Sequence, residues 1–382
     1  MKPKLILFAL ATASLLPALR AEESKYPPIN PALLYWQAAA ISPKLTDEQA
    51  GELRDTASGK KPIDPAKMEA LKLGAAGRIL RKAAESTAPC DWGLMREDGP
   101  GMLMPHLSKL REMANIATAQ AEVLLAQGKT GEGLDWLLVT HRIARHSGTG
   151  ETLISYLVQA SIEDLAVRAA ARHCLGWDEA TRHGYADRLK ALPPLHSLQE
   201  NYRGEKIFAD WFEGLSKFDG PVREEKLKEF FGADSGNNEE AARLKAQLQT
   251  LFTGDTFDKE IAANRAMTAR IEATLGKPWK EASPELRSLT EEVAHSGFVM
   301  VKSVVPAVSS CLDRAGAIAT LRTMLDVALQ LGPGLDPSSI ANYADSFEGH
   351  PLQLKKGEDG ALSLSALTQH PKGKTTELKL GK

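Results

Sequence analysis

The sequence predicts a mainly α protein: an irregular array of antiparallel helices, partly tetratricopeptide-like, closed by a small C-terminal β-hairpin element. Three observations carry that expectation. Apolar residues recur at three- and four-residue steps through most of the chain, as one face of an amphipathic helix requires. Only 6% of the 382 residues are aromatic while Ala and Leu abound, which suits packed helices better than sheets. Beyond Gly332-Pro333-Gly334 the helical period gives way to short alternating runs.

Residues 1–21 have the form of a secretory signal peptide. Lys2 and Lys4 precede the apolar run LILFALATASLL, and Leu19-Arg20-Ala21 sets a small residue at the cut. The run is too short to span a bilayer comfortably. The chain is therefore expected to be exported, to the periplasm or the extracellular space, with no stable membrane span after leader removal. Without Lys2, Lys4 and Arg20 the 47 basic residues become 44 against 49 acidic ones. A mildly acidic chain with no basic block is a poor partner for nucleic acid, because phosphate neutralisation needs clustered Lys and Arg. Cys90, Cys174 and Cys311 leave two outcomes open: one disulfide with a thiol to spare, or three buried thiols. They have no metal-ligand spacing.

After the leader, Pro27, Pro28 and Pro31 mark an extended arm, and ALLYWQAAAIS begins a short helix. Thr46 followed by Asp47 and Glu48 reads as an N-cap with first-turn acids. Pro65 to Glu85 continues helically through Met68, Leu71, Leu73, Ile79 and Leu80.

The stretch from Cys90 to Cys174 organises the rest. An aromatic and acidic loop (Asp91, Trp92, Glu97, Asp98, Gly99, Pro100) leads to Pro105, where a helix start tolerates proline. One helix runs from there to Gly128, a second to Gly148 and Gly150, and a third from Thr152 to Cys174. The third is apolar on most of its circumference, so it is the buried one. The pattern around Leu124 to Leu138 resembles one tetratricopeptide unit, but no further copies follow at a fixed period.

Helical patterns continue over 178–192, to Pro193-Pro194, and over 196–216. Residues 219–240, with GADSGNN, form the expected flexible break in a helical body spanning 22–332. Helices follow at 238–252, 256–275 and 284–296, and Val304 to Leu331 reads as a core helix. Residues 333–382 form the β-rich element, with PLQLKK, GALSLSAL and TTELKL as strands.

Acid–base or metal chemistry needs carboxylates and imidazoles that converge. Glu97, Asp98, Glu163, His106 and His141 are the candidates for an acid–base site. His141 and His146 are five residues apart, on different sides of a helix, unlike the four-residue step of a zinc helix. Glu163 lies in the apolar third helix, where an unpaired carboxylate is costly, so it needs Arg142, Arg145 or Arg168 as partner or a place on a solvent stripe with Asp164. Glu292-x-x-His295 has the spacing of half a di-iron site, yet no second pair exists, which makes it a surface helix. Gly128-Lys129-Thr130 lacks the upstream glycine of a phosphate-binding loop, because position 123 is Val. No cofactor or metal motif is complete.

Five segments carry a resemblance: NPALLYWQAAAISP, CDWGLMREDGPGMLMPHLSKLREMA, LLAQGKTGEGLDWLLVTHRIARH, TLISYLVQASIEDLA and DSFEGHPLQLKKGEDGALSLSA. In these the chain resembles an uncharacterised family of exported bacterial helical proteins, and its tail is similar to the closing hairpin of pseudopilin-type secretion components. The tail departs from that pattern at Ser346 and in the ending KTTELKLGK. The resemblance implies architecture and export and assigns no activity. The expected function is an exported, non-catalytic binding or scaffold protein of the cell envelope, its partner an envelope protein. Trp92, Asp98, Trp136 and Arg142 are the residues expected to meet that partner. An envelope hydrolase and a secretion-system accessory are the alternatives.

Overall fold

The computed structural model describes residues 28–62, 64–71, 73–231, 256–358, 360–369 and 375–381. The expected signal peptide and the start of the expected arm lie outside the described residues. α1 (Pro31–Ile41) opens at Asn30, whose Oδ1 accepts from the Ala32 amide at 3.0 Å. α2 (Asp47–Ala57) opens on a capping box between Thr46 and Gln49. The expected helix over 65–85 is two, α3 (Pro65–Ala70) and α4 (Gly74–Glu85). The reason lies in packing. Met68 and Leu71 join Leu53, Ile116 and Val123 in a small outer cluster, whereas Leu80, Ala83 and Ala84 enter the main core. One straight helix cannot serve both.

The centre is built from α5 (Pro105–Ala126), α6 (Thr130–Ser147) and α7 (Leu153–Cys174). Gly128 adopts a positive φ of 74° and lets the Gly128 and Lys129 amides bond back to Leu125 and Leu124, which ends α5 and reverses the chain into α6. The two helices approach closely at Gly133, where a Cβ would lie 2.7 Å from Leu125. The buried hydroxyls of Thr118 and Thr140 meet across the contact at 3.1 Å. α7 touches α5 and α6, as its apolar circumference predicts. It also carries small residues, Ala166, Ala169, Ala170 and Ala171, that let neighbours come near.

α8 (Glu179–Lys190) follows the sequence pattern, but the helix expected over 196–216 is divided into α9 (Leu198–Gly204), α10 (Lys206–Gly214) and a 3-10 turn, Leu215–Lys217. The division falls at Gly204, which is pressed against the backbone of Glu151 so tightly that no Cβ fits. α11 (Gly220–Phe231) is a helix in the first half of the expected break. Residues 232–240, and the helix expected over 238–252, lie outside the described residues. α12 (Thr256–Leu275) and α13 (Trp279–His295) come next, the latter taking Pro284 into its second turn. α14 (Val299–Leu331) is a single long helix lying along α7. No helix among the described residues is long and apolar enough to cross a membrane.

The C-terminal element has three strands: β1 (Gln353–Lys356), β2 (Leu362–Gln369) and β3 (Thr375–Leu380), antiparallel in the order β1-β2-β3, after a short α15 (Pro337–Ile340). The register sets Leu364 opposite Leu378, and both are fully buried. That alternation turns one sheet face onto the helical core, with β3 against α7 and α14. Arg168 donates to the Glu377 carbonyl at 2.8 Å, and the Gly381 amide donates to the Ala171 carbonyl at 3.1 Å, tying the sheet to α7. Asp345 shapes the approach: its Oδ1 accepts the Phe347, Glu348 and Gly349 amides, and its Oδ2 accepts the Thr368 hydroxyl at 2.9 Å.

All three cysteines are free thiols. Burial pushes Cys90 and Cys174 up to about 12 and Cys311 up to about 11, so thiolate is scarce at neutral pH. Titration with a thiol reagent should therefore count three thiols in denaturant, but proceed slowly in the native protein. Fewer than three in non-reducing denaturant would establish a bridge.

Candidate functional site

A carboxylate inside α7 decides the local architecture. Glu163 is 1% exposed. Its Oε2 accepts from His141 Nδ1 at 2.9 Å and from Arg145 at 3.3 Å, both on α6, and its Oε1 lies 3.4 Å from Arg322 Nε of α14. A carboxylate has no proton to give, so His141 Nδ1–H donates, and His141 Nε2 meets the Tyr185 hydroxyl of α8 at 3.2 Å. Burial opposes the charge on Glu163, yet His141, Arg145 and Arg322 outweigh it and hold the carboxyl at about 2. Arg145 also donates to the His141 and Pro193 carbonyls, at 2.7 and 2.5 Å. A charge in the core thereby fixes a surface loop.

That loop forms one wall of a cleft of about 920 Å³. The end of α4, the irregular segment 86–95 and Arg96 line it as well, together with the C-terminal end of α6. Trp92, Arg142, His146 and His196 face into it. Trp92 is locked in place: its Nε1 donates to the His146 carbonyl at 3.0 Å, and its ring stacks on His106 at 4.5 Å. The His146 Nδ1 lies 2.8 Å from the buried Tyr35 hydroxyl. Burial, with Arg142, Arg145 and His196 nearby, pushes His146 down to about 4, and burial alone does the same to His106. Both rings are neutral at pH 7. His106 Nε2 is buried with no hydrogen-bond partner among the described residues.

The tight turn from α6 to α7 separates this cleft from a second hollow of about 640 Å³ against α9. Arg96, Glu151 and His196 belong to both, and the Arg96–Glu151 ion pair, 2.6 Å, crosses between them. Glu151 takes φ 52°, the left-handed region, held there by packing against Gly204. Gly148 and Gly150 crowd Gln159 and Ser155, and the Gln159 amide in turn clamps both backbone groups of His196. Below the turn, Glu205 accepts the Leu153 amide at 2.6 Å and so caps α7, while burial raises its carboxyl to about 7.

The sequence candidates separate on this geometry. Trp92 and Arg142 reach one cleft. Trp136 is buried between α4 and α6, 3.3 Å from where a Gly77 Cβ would stand and with Arg81 over its ring at 4.4 Å. Glu97 and Asp98 are exposed on a 3-10 turn whose Gly99 seats against Trp211. Glu163 and His141 are sealed in the core, and His106 lies behind Trp92. The five acid–base candidates do not converge in one pocket. Glu163 takes Arg145 from the three arginines expected, while Asp164 pairs with Arg168 and Arg314. Glu292 pairs with Arg270 at the surface, as a surface helix requires. Among the described residues no group of three His, Cys, Asp or Glu is placed to hold a metal ion. Sequence reasoning missed His196 in the cleft, while Tyr35 lies buried beneath it with its hydroxyl on His146. Only the Pro193-Pro194 stop hinted at the wall beside His196.

Two pH effects follow. The Glu163 carboxyl is depressed from its ordinary 4.5 to about 2, so its contribution is fully present above pH 4.5 and lost as pH falls towards 2. Glu163→Gln should flatten that acid limb in urea denaturation and cost roughly 3–5 kcal/mol at pH 7 by leaving its partners unpaired. The two neutral histidines act higher. The unfolded state takes up their protons first, so stability should fall from pH 6.5 to about 4, by about 1.4 kcal/mol per pH unit for each ring. His106→Phe keeps the stack on Trp92 and should reduce that slope; an unchanged slope would contradict the assignment.

Comparison of the chain with protein-family models, with curated proteins and with solved structures finds no match.

Proposed function

We propose that this chain is an exported, non-catalytic binding protein of the cell envelope, and that the cleft beside Trp92 and Arg142 is where its partner sits. The observation that carries the reading is the investment of buried structure in that surface. Trp92 is pinned on two sides, and Pro193 is held by an arginine anchored on a core carboxylate. The cleft thus keeps one shape before any ligand arrives, which lowers the cost of binding. Its volume lies at the upper end of the range for pockets that enclose small molecules. Two features weigh against hydrolysis. The carboxylates and imidazoles considered for it do not meet in the cleft, Glu163 and His141 being sealed in the core and Glu97 and Asp98 exposed on a separate turn. The cleft thiol Cys90 is pushed up to about 12. Export is supported by the leader, Lys2 and Lys4 ahead of LILFALATASLL.

A photo-crosslinking residue at Thr87 or Pro194, both exposed on the cleft walls, tests the reading against one at Glu69, exposed on α3. In the producing cell, the full chain should give a discrete adduct from the two cleft positions and none from Glu69. The chain carrying the adduct should begin at Glu22. Equal labelling from all three positions, or none from the cleft, would reject the cleft as the binding surface.

A further inference from the structure

The cleft lining carries a chemical preference. The Tyr35 hydroxyl is buried with His146 Nδ1 as its one hydrogen-bond partner among the described residues, so its proton is satisfied only by donating there. The proton of the neutral imidazole then sits on Nε2, which has no hydrogen-bond partner among the described residues. Arg142 precedes His146 by one helical turn and lines the same cleft. It too forms no hydrogen bond or ion pair among the described residues, whereas Arg145 is committed to Glu163 and Arg96 to Glu151. The lining acids are Glu85, Asp91 and Glu151. Asp91 accepts the Gly93 amide and Glu151 is neutralised by Arg96.

On α6 the unspent donors are one guanidinium and one imidazole N–H, and the His196 ring lines the same cleft. That pair matches a single carboxylate, which accepts from both and adds one negative charge. A dianionic phosphate would face Glu85 and Asp91 with one arginine against it. The shape narrows the ligand further. Residues 86–95 run along the wall without helix or strand pairing. The second hollow adjoins it at the Arg96–Glu151 pair, which the two share. A cleft walled by irregular backbone suits an extended chain, whose main-chain groups can pair with that wall.

Building on the binding function above, we propose that the cleft captures an extended peptide by a carboxylate, held between the Arg142 guanidinium and the His146 Nε2–H beside Trp92. The probe is a randomised pool of N-acetylated hexapeptides made from uncharged residues, offered to the immobilised full chain. One arm ends in a free carboxylate, a second in an amide, and a third in an amide with one internal Asp or Glu. Retention of the first or third arm should exceed the second by about tenfold, a difference of about 1.4 kcal/mol. The first and third arms distinguish a chain terminus from an acidic side chain. Arg142→Gln should abolish the selectivity with an unchanged thermal melt, and Arg142→Lys should restore part of it. Equal retention of all arms, retention of none, or selectivity that survives Arg142→Gln would overturn the proposal. Any of these alongside cleft-specific crosslinks would leave the binding function standing and remove only its carboxylate, while absent crosslinks would remove the cleft itself.

Discussion

Everything in the central part of this molecule depends on one carboxylate kept ionised where water does not reach. Glu163 sits on α7, which packs against α5, α6, α14 and the sheet, and its two oxygens recruit His141 and Arg145 from α6 and Arg322 from α14. Three helices are thereby set in one rotational register, since no slip of any of them preserves all the contacts. Apolar packing supplies the bulk of the burial, but hydrophobic contact is tolerant of small rotations, and a bonded buried charge is not. The same arginine then reaches the Pro193 carbonyl, so the register of the core is transmitted to a loop at the surface.

A second polar cluster mirrors this on the α5 side. Glu122 pairs with Arg172 and His173 of α7, and Arg172 also donates to the Ala57 carbonyl at the end of α2. Burial opposes the Glu122 charge too, and the histidine and arginine outweigh it. α7 is thus fixed to its neighbours by ionic contacts at its middle and near its C-terminal end, with alanines between them for close packing. The sheet adds to this framework through its bonds to Arg168 and Ala171.

The sequence made the framework legible and left the site half hidden, for physical reasons. Helix period, the stop at Gly128 and the alternation after residue 352 are local properties, readable a few residues at a time. Glu163 stood out because a carboxylate in an apolar helix demands partners, and Arg145, 18 residues away, was among those named. Arg322 and Tyr185 were not, because nothing local brings α14 or α8 to that point. Trp92 and Arg142 were singled out by residue type, yet so were Asp98 and Trp136, which Gly99 and Gly77 draw to other places by offering gaps for aromatic rings. The bend after α3 was illegible because it reflects two separate clusters competing for one amphipathic pattern.

The crowded turn between α6 and α7 has a bearing on ancestry. A Cβ at Gly204 would fall 1.5 Å from the Glu151 carbonyl oxygen, a main-chain atom that no rotamer change can move. At Gly148 and Gly150 it would strike the very side chains that fasten His196 and begin α7. Surface residues on this scaffold can drift freely while these three positions cannot. Distant descendants of the same cleft would then betray themselves by a sparse signature, G-x-G-E between two helices and a lone glycine at the close of a later one, long after overall identity had eroded.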